Sequence, residues 1–380
     1  MYLQSLRTIP SLQIHYADQQ ICIGARGTRL FRSDDQGLHW RPYASLPTSD
    51  IHHFTMRFAP YRRLTRGGIN FVVNVDGRKN SSPLGETATT EWIAMQGGSL
   101  LHVTDGGQQV RPIWDLQRGR RTLCNGLSVW QRTLFIADYW SNPKRQCVHL
   151  YRIDLDTAKA EVFYRFEEKT VRHIHNVQLD PYGSHLWLST GDADHECMIL
   201  YLNPENGEAT CIGQGSQQWR AVSFIFCEDA VFWGTDNPFG ENQIWRYDRQ
   251  SQRVQQIGTV KGPVYYSKDV GPYLLFGTAV EFGHGQQDRY GRLYAAKVCT
   301  EPFDSEPSLA AKSQLPSNDT FEAAEGVAEV YRQRKDWLHA RYFGYGLFEL
   351  NHGDVGGNRF WATHKGFTGG LRSTLFELCD

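Results

Sequence analysis

The sequence predicts an all-β chain folded into a single β-propeller of seven blades, or of six if the first two units merge. Two recurring phrases, and the interval between their copies, predict it. In the first, a hydrophobic run ends on a small residue and Thr: Leu-Trp-Leu-Ser-Thr closes at Thr190, Val-Phe-Trp-Gly-Thr at Thr235 and Leu-Leu-Phe-Gly-Thr at Thr278. A looser copy, Arg-Phe-Trp-Ala-Thr, ends at Thr363, two intervals further on. The second phrase, aliphatic–aromatic–Arg–x–Asp, recurs at 30–34, 150–154 and 244–248. An interval of roughly 45 residues, with several short strands in each, is the signature of a propeller. Units of that size fill 380 residues and leave no second domain.

Alternating hydrophobic runs between turn residues place the units in order. The first covers 13–46, with Gln-Ile-Cys-Ile-Gly and Arg-Leu-Phe-Arg-Ser as strands. The second, 54–116, carries a polar insertion at 76–90. The third to sixth run over 123–168, 173–217, 219–262 and 263–314, the last ending in a Pro- and Ser-rich tract at 301–318. The seventh, 321–378, opens on the one segment with a helical pattern, 320–333.

With 40 basic and 41 acidic residues the net charge is −1, so bulk charge gives no reason to expect nucleic-acid or membrane-surface binding. The aromatic content of 13% fits strand packing first, and leaves rings to stack on sugar faces. No stretch reads as a membrane span or a signal peptide, which places the chain in the cytoplasm. Eight cysteines stand singly with no C-x-x-C pair; they read as reduced thiols, not zinc ligands.

Ser33-Asp-Asp35-Gln-Gly37-Leu-His-Trp40 matches the pattern S-x-D-x-G-x-x-W at every defining position. Such a turn joins the third and fourth strands of a blade: Asp accepts backbone N–H groups, Gly takes a positive φ and Trp packs between blades. On this motif the chain resembles the Asp-box (BNR-repeat) sialidase-like propeller superfamily. The runs from His173 to Tyr182, Trp187 to Asp194, Trp219-Arg220-Ala-Val and Gly234-Thr-Asp236 are similar to an uncharacterised bacterial subgroup of it. One box is intact; those beginning at Asp154, Asn203 and Asp248 are eroded. Sialidase activity itself is not implied, since Thr8 interrupts the Arg-Ile-Pro motif in Arg7-Thr-Ile-Pro10.

A propeller brings the start of each blade's innermost strand and the end of its second strand to one channel mouth. That rule gathers His173, His175, Asp192 and Asp194 from the fourth unit, Trp219, Arg220 and Asp236 from the fifth, and Tyr266 and Glu281 from the sixth. Asp138 and Tyr139 come from the third, and Arg66 from the second. His173 and His175 flank Ile174, so both imidazoles leave the same side of a strand, as two ligands of a divalent metal or as a base with its partner. They equally suit two backbone-bonded histidines filling the channel. The pair shares the H-x-H spacing of the oligogalacturonate lyases, a seven-bladed family that binds a divalent metal, though Thr170 stands where that motif has Gln.

These residues point to a carbohydrate-active protein that binds a bacterial polysaccharide or oligosaccharide, anionic sugars included. Cleavage would follow hydrolysis or β-elimination. His173, His175, Asp192, Asp236, Glu281 and Tyr266 are the catalytic candidates; Arg220, Trp219, Asp194, Asp138, Tyr139 and Arg66 are the substrate-binding ones. A divalent metal at His173 and His175 is the one cofactor the pattern offers. The alternatives are a non-catalytic glycan-binding protein of polysaccharide biosynthesis and a protein-interaction scaffold.

Overall fold

Each copy of the Thr-terminated phrase becomes the second strand of a four-stranded antiparallel sheet: Leu186–Gly191, Ala230–Thr235, Tyr273–Thr278 and Arg359–Lys365. The phrase is hydrophobic throughout because a second strand packs against neighbouring blades on both faces. Trp92, Trp187, Trp233 and Trp361 lie on such strands and are fully buried. Burying each ring stabilises the packing by roughly 2–3 kcal/mol. The aliphatic–aromatic–Arg–x–Asp phrase forms third strands, Arg29–Ser33, Val148–Asp154 and Asn242–Asp248.

The computed structural model describes residues 1–47, 68–75, 91–117, 120–281, 288–298, 326–338 and 344–380. Among them are seven four-stranded sheets, the blades of one propeller. Blades 1 to 6 begin at Gln13, Ile69, Leu127, His173, Ala221 and Val264. Blade 7 is composite. Leu347–Leu350, Arg359–Lys365 and Arg372–Cys379 are its first three strands, and the N-terminal strand Tyr2–Pro10 pairs with Arg372–Cys379 as the fourth. Ring closure therefore joins the two ends of the chain. Tyr2–Pro10 had no expected place in a blade, because this outermost strand is mostly exposed and lacks a hydrophobic stripe.

The last boundary needs correcting. The helix expected over 320–333 is, from Val327 onward, a strand: Val327–Arg334 pairs with Tyr290–Lys297 as the fourth strand of blade 6. Its Ala and Glu residues favour a helix, but sheet pairing and the Arg292–Glu329 bond at 2.9 Å override that preference. Blade 7 thus starts at Leu347 and not near 321. The insertion at 76–90 and the tract at 301–318 lie outside the described residues. Among the described residues, no helix is long and apolar enough to cross a membrane.

The Ser33–Trp40 turn joins third and fourth strands as expected. Asp35 Oδ1 accepts the His39 N–H at 2.9 Å, Ser33 Oγ accepts Gly37 N–H at 2.8 Å, and Gly37 has φ 86°. The turns after the third strands of blades 3 and 5 are also held by an Asp: Asp154 Oδ1 accepts Thr157 N–H at 2.7 Å and Asp248 Oδ1 accepts Ser251 N–H at 2.8 Å.

One irregularity recurs where function would sit. The inner strands of blades 1, 2, 4 and 6 slip register at the same step, leaving His15, Asn70, His175 and Tyr265 as the extra residue. A bulge re-aims the side chain it carries. Here the re-aimed side chains belong to the strands lining the central channel.

Candidate functional site at the channel mouth

His173 opens the inner strand of blade 4 and His175 is its bulged residue, and their Nε2 atoms meet at 2.9 Å. Asp192 follows the second strand of that blade, and its Oδ1 lies 3.3 Å from His173 Nε2 and 3.2 Å from His175 Nε2. Gly191 permits this closeness, since a Cβ there would stand 2.8 Å from His175 Cε1 and 3.3 Å from Arg220 Cγ. The other ring nitrogens settle the protonation. His173 Nδ1 lies 2.8 Å from Trp140 O and His175 Nδ1 3.3 Å from Ala221 O. A carbonyl only accepts, so both Nδ1 atoms carry the proton and both Nε2 atoms present lone pairs. Three acceptors thus converge on one point, and only a cation, a proton or a metal ion, makes that arrangement favourable. Two neutral imidazoles and a carboxylate form a donor set that fits a divalent transition metal.

The surroundings favour the ionised carboxylate. Burial pushes the Asp192 carboxyl up, but the Arg220 charge outweighs it and holds it well below the usual range. Arg172 Nη1 donates to Oδ2 at 2.7 Å and Arg220 Nη2 to Oδ1 at 3.1 Å. The loop behind is fixed by Glu196, fully buried, which accepts the N–H groups of Asp192 and Ala193 at 3.1 and 3.0 Å and pairs with Arg145. For His173 itself, burial lowers the pKa against the pull of Asp192.

Arg220 links this triad to a second group. Its Nε donates to Asp236 Oδ2 at 3.2 Å, while Asp236 Oδ1 is buried and receives no other donor. Burial, then the Asp236 charge beside it, raises the Glu281 carboxyl well above its ordinary value; Asp236 is itself raised by burial. Two contacting carboxyls in a buried site share one proton. Tyr265 O–H donates to Glu281 Oε2 at 3.1 Å, and Tyr345 packs edge-on to Tyr265 at 5.9 Å. On the other flank the Tyr139 ring lies 4.2 Å from His173, with the Arg121 guanidinium 4.9 Å over its face. Arg121 is exposed and forms no ion pair among the described residues. Among the described residues, an arc from blade 3 to blade 7 therefore holds a lone-pair triad, an acid with a raised pKa, three phenols and one cation without an ion pair.

His173, His175, Asp192, Arg220, Asp236, Glu281 and Tyr139 come together as the sequence rule expects. Four other candidates do not join them, and a fifth is not described. Arg66 lies outside the described residues. Tyr266 is one step past the bulge, so it points down the channel toward Glu349 and Cys124 while Tyr265 takes the mouth position. Trp219 stacks on Trp233 at 5.9 Å and fills the space that Gly213 leaves, so it is blade packing. Asp194 is exposed and accepts Gln217 Nε2 at 2.8 Å, fastening its own loop. Asp138 is fully buried behind the site, where Arg120, His149 and Tyr151 surround its Oδ2. Its neighbour Trp140, covered by Arg120 at 4.3 Å, supplies the carbonyl that orients His173.

Sequence reasoning missed Arg172, Arg121 and Tyr345. Arg172 directly precedes His173 and was legible from the mouth rule. Arg121 lies well before the inner strand of blade 3, which starts at Leu127, because 122–126 intervenes with Asn125 Nδ2 donating to Val222 O at 3.2 Å. Tyr345 precedes the inner strand of blade 7, whose start was misplaced.

No family model matches the chain and no curated protein matches it, so the sialidase-like resemblance rests on the sequence motif alone. Solved structures do match in fold. An oligogalacturonate lyase from Vibrio parahaemolyticus aligns over 100% of this chain and 94% of its own, with TM-score 0.60 at 8% identity. An oligogalacturonate lyase in complex with manganese aligns over 100% and 93%, with TM-score 0.57 at 9% identity. A chain of a mitotic checkpoint complex aligns over 99% and 95%, with TM-score 0.55 at 9% identity. At such identities the likeness establishes the seven-bladed fold.

Proposed function

We propose that the channel mouth is a metal-dependent active site that cleaves an acidic oligosaccharide by β-elimination. The observation that carries this reading is the convergence of His173 Nε2, His175 Nε2 and Asp192 Oδ1, three lone pairs with both Nδ1 protons committed elsewhere. A divalent cation held by these residues would act as a Lewis acid toward a substrate carboxylate. Arg121, without an ion pair among the described residues, would attract and orient the same anion, and the exposed Tyr345 would offer a ring face to the sugar. In the elimination the C5 proton would pass to the Asp236 carboxylate, whose Oδ1 has a lone pair to accept it, the C5–H electrons would form the C4–C5 double bond as the C4–O bond breaks, and Glu281, kept neutral beside Asp236, would supply the proton to the departing glycosidic oxygen. Arg220 is excluded as the substrate anchor, because Asp192 and Asp236 occupy its guanidinium.

Elimination fits better than hydrolysis. A hydrolytic pair must stand roughly 5–10 Å apart to flank the sugar, whereas Asp236 and Glu281 are in contact. The fold shared with two oligogalacturonate lyases supports the same choice of substrate class.

The test uses the purified protein stripped with a chelator, reloaded with Mn²⁺, and given oligogalacturonate. The ultraviolet absorbance of an unsaturated uronate is expected to grow only in the reloaded sample. Growth undiminished by the chelator, or absence of Mn²⁺ binding in calorimetry, would sink the reading.

A further inference from the structure

The loop 138–147 leads from the second to the third strand of blade 3 and crosses the seam to blade 4. Four of its carbonyls take donors from the segment that enters the His173 strand. Asp138 O accepts Ile174 N–H at 3.2 Å and Arg145 O accepts Lys169 N–H at 2.8 Å. Trp140 O accepts His173 Nδ1–H at 2.8 Å, and Ser141 O accepts Arg172 Nε–H at 2.7 Å. The Arg145 side chain pairs with Glu196, which holds the N–H groups of Asp192 and Ala193. Two of the three triad members are therefore held from the neighbouring blade, His173 at its ring and Asp192 through Arg172 and Glu196. His175 is not, because its Nδ1 faces Ala221 O of blade 5.

One residue fastens the loop in this form. Asn142 is fully buried and its amide is fully used. Nδ2 donates to Gln146 O and to Arg172 O, both at 2.9 Å, and Oδ1 accepts Gln146 N–H at 2.9 Å. The bonds to Gln146 close the loop on itself; the bond to Arg172 ties it to the residue before His173. Asn142 and Arg145 have φ of 35° and 51°, left-handed values that residues other than glycine adopt at a cost. Such residues persist where surrounding bonds over-determine the backbone.

We propose that Asn142 is a positioning residue, which through the loop 138–147 fixes the ring of His173 and the carboxylate of Asp192 before any cation arrives. Its part in metal binding rests on the triad reading above; its hold on His173 does not. A bond that sets the tautomer and orientation of a ligating histidine is worth roughly 10–100-fold in metal affinity.

Asn142→Gly tests this, since glycine accepts the left-handed backbone and removes only the amide. The first reading is made without metal, on protein labelled with ¹⁵N at histidine, with the His173 signals assigned by their loss in His173→Gln. They should show the proton on Nδ1 in the natural chain and a mixture of both tautomers in the variant, while His175 keeps its Nδ1 proton in both. The second reading is calorimetric: Mn²⁺ affinity should fall roughly 10–100-fold in the variant. If the glycine variant does not fold, Asn142→Asp, which keeps the size and withdraws both donors, carries the same two readings. A loop with a merely structural role would lower Tm and move neither. An unchanged His173 tautomer, or an undiminished Mn²⁺ affinity, overturns the proposal. A natural chain that binds no Mn²⁺, with the tautomer shifted in the variant, overturns the metal reading alone and leaves Asn142 as the residue that orients His173.

Discussion

Blade 1 and blade 4 place nearly the same tripeptide in the same register: Gln13-Ile14-His15 and His173-Ile174-His175. In each, the first residue pairs with the end of the second strand, Ile pairs one step in, and the second His is the bulged residue. Two differences separate them. Gln stands where blade 4 has its first His, and Arg26 occupies the position that Asp192 takes after the second strand. Arg26 turns outward to the Pro10 and Ser11 carbonyls, whereas Asp192 turns inward to both imidazoles. His15 is consequently left beside Lys365 and His352, where burial and then those charges depress its pKa well below the usual value. One backbone device thus yields a converging His–His–Asp triad where a carboxylate follows it and a basic cluster where none does.

Removing that carboxylate should give the largest effect. Asp192→Asn is expected to weaken Mn²⁺ binding by more than the roughly 10–100-fold that loss of a supporting hydrogen bond costs at metal sites. Arg220 keeps Asp236, so the fold should survive. The converse exchange sharpens the point. Gln13→His alone should bind no second equivalent of Mn²⁺, whereas Gln13→His with Arg26→Asp should add one in calorimetric titration. A second equivalent in the single variant would show that the carboxylate does not distinguish the two blades.

A smaller effect is expected at the acid beside the triad. The folded pKa of Glu281 is raised by burial and by Asp236, so its contribution to stability is fully present below the unfolded value of about 4.3 and is lost as pH rises through the folded one. Each unit of that displacement costs about 1.4 kcal/mol once the group is ionised. Glu281→Gln copies the neutral carboxyl and escapes the cost. The variant should match the natural chain in Tm near pH 4 and exceed it at pH 8, while losing turnover. An unchanged difference between the two pH values would mean that Glu281 is ionised in the folded state.

The fold was legible because the strand repeat is written in large hydrophobic side chains, which sheet packing demands in every blade. Seven residues that meet at the channel mouth followed from one topological rule applied to that repeat. What stayed hidden depended on pairing and not on residue type. Tyr2–Pro10 is a strand only because Arg372–Cys379 offers it an edge, and Val327–Arg334 abandons its helical preference for the same reason. The choice of Tyr265 over Tyr266 is set by a bulge, and no single residue announces a bulge. Trp219 looked like a sugar platform, yet the glycine that receives its ring lies in the outermost strand of the preceding blade.

The smallest effect should come from the turns on the outer edge, where the same two blades differ again. Blade 1 uses Asp35, and its carboxylate accepts the His39 N–H and the Ser33 hydroxyl. At the matching turn blade 4 uses the neutral Asn203, whose Oδ1 accepts the Glu205 N–H at 2.9 Å. If the acceptor oxygen is what the turn requires, Asp35→Asn should leave Tm almost unchanged and Asp35→Ala should lower it by about one or two degrees. Mn²⁺ affinity should be untouched in both, because the turn stands on the rim of a blade that contributes nothing to the triad. Equal losses in the two variants would show that the charge, and not the oxygen, holds the turn, and that the eroded copy in blade 4 is stabilised by different means.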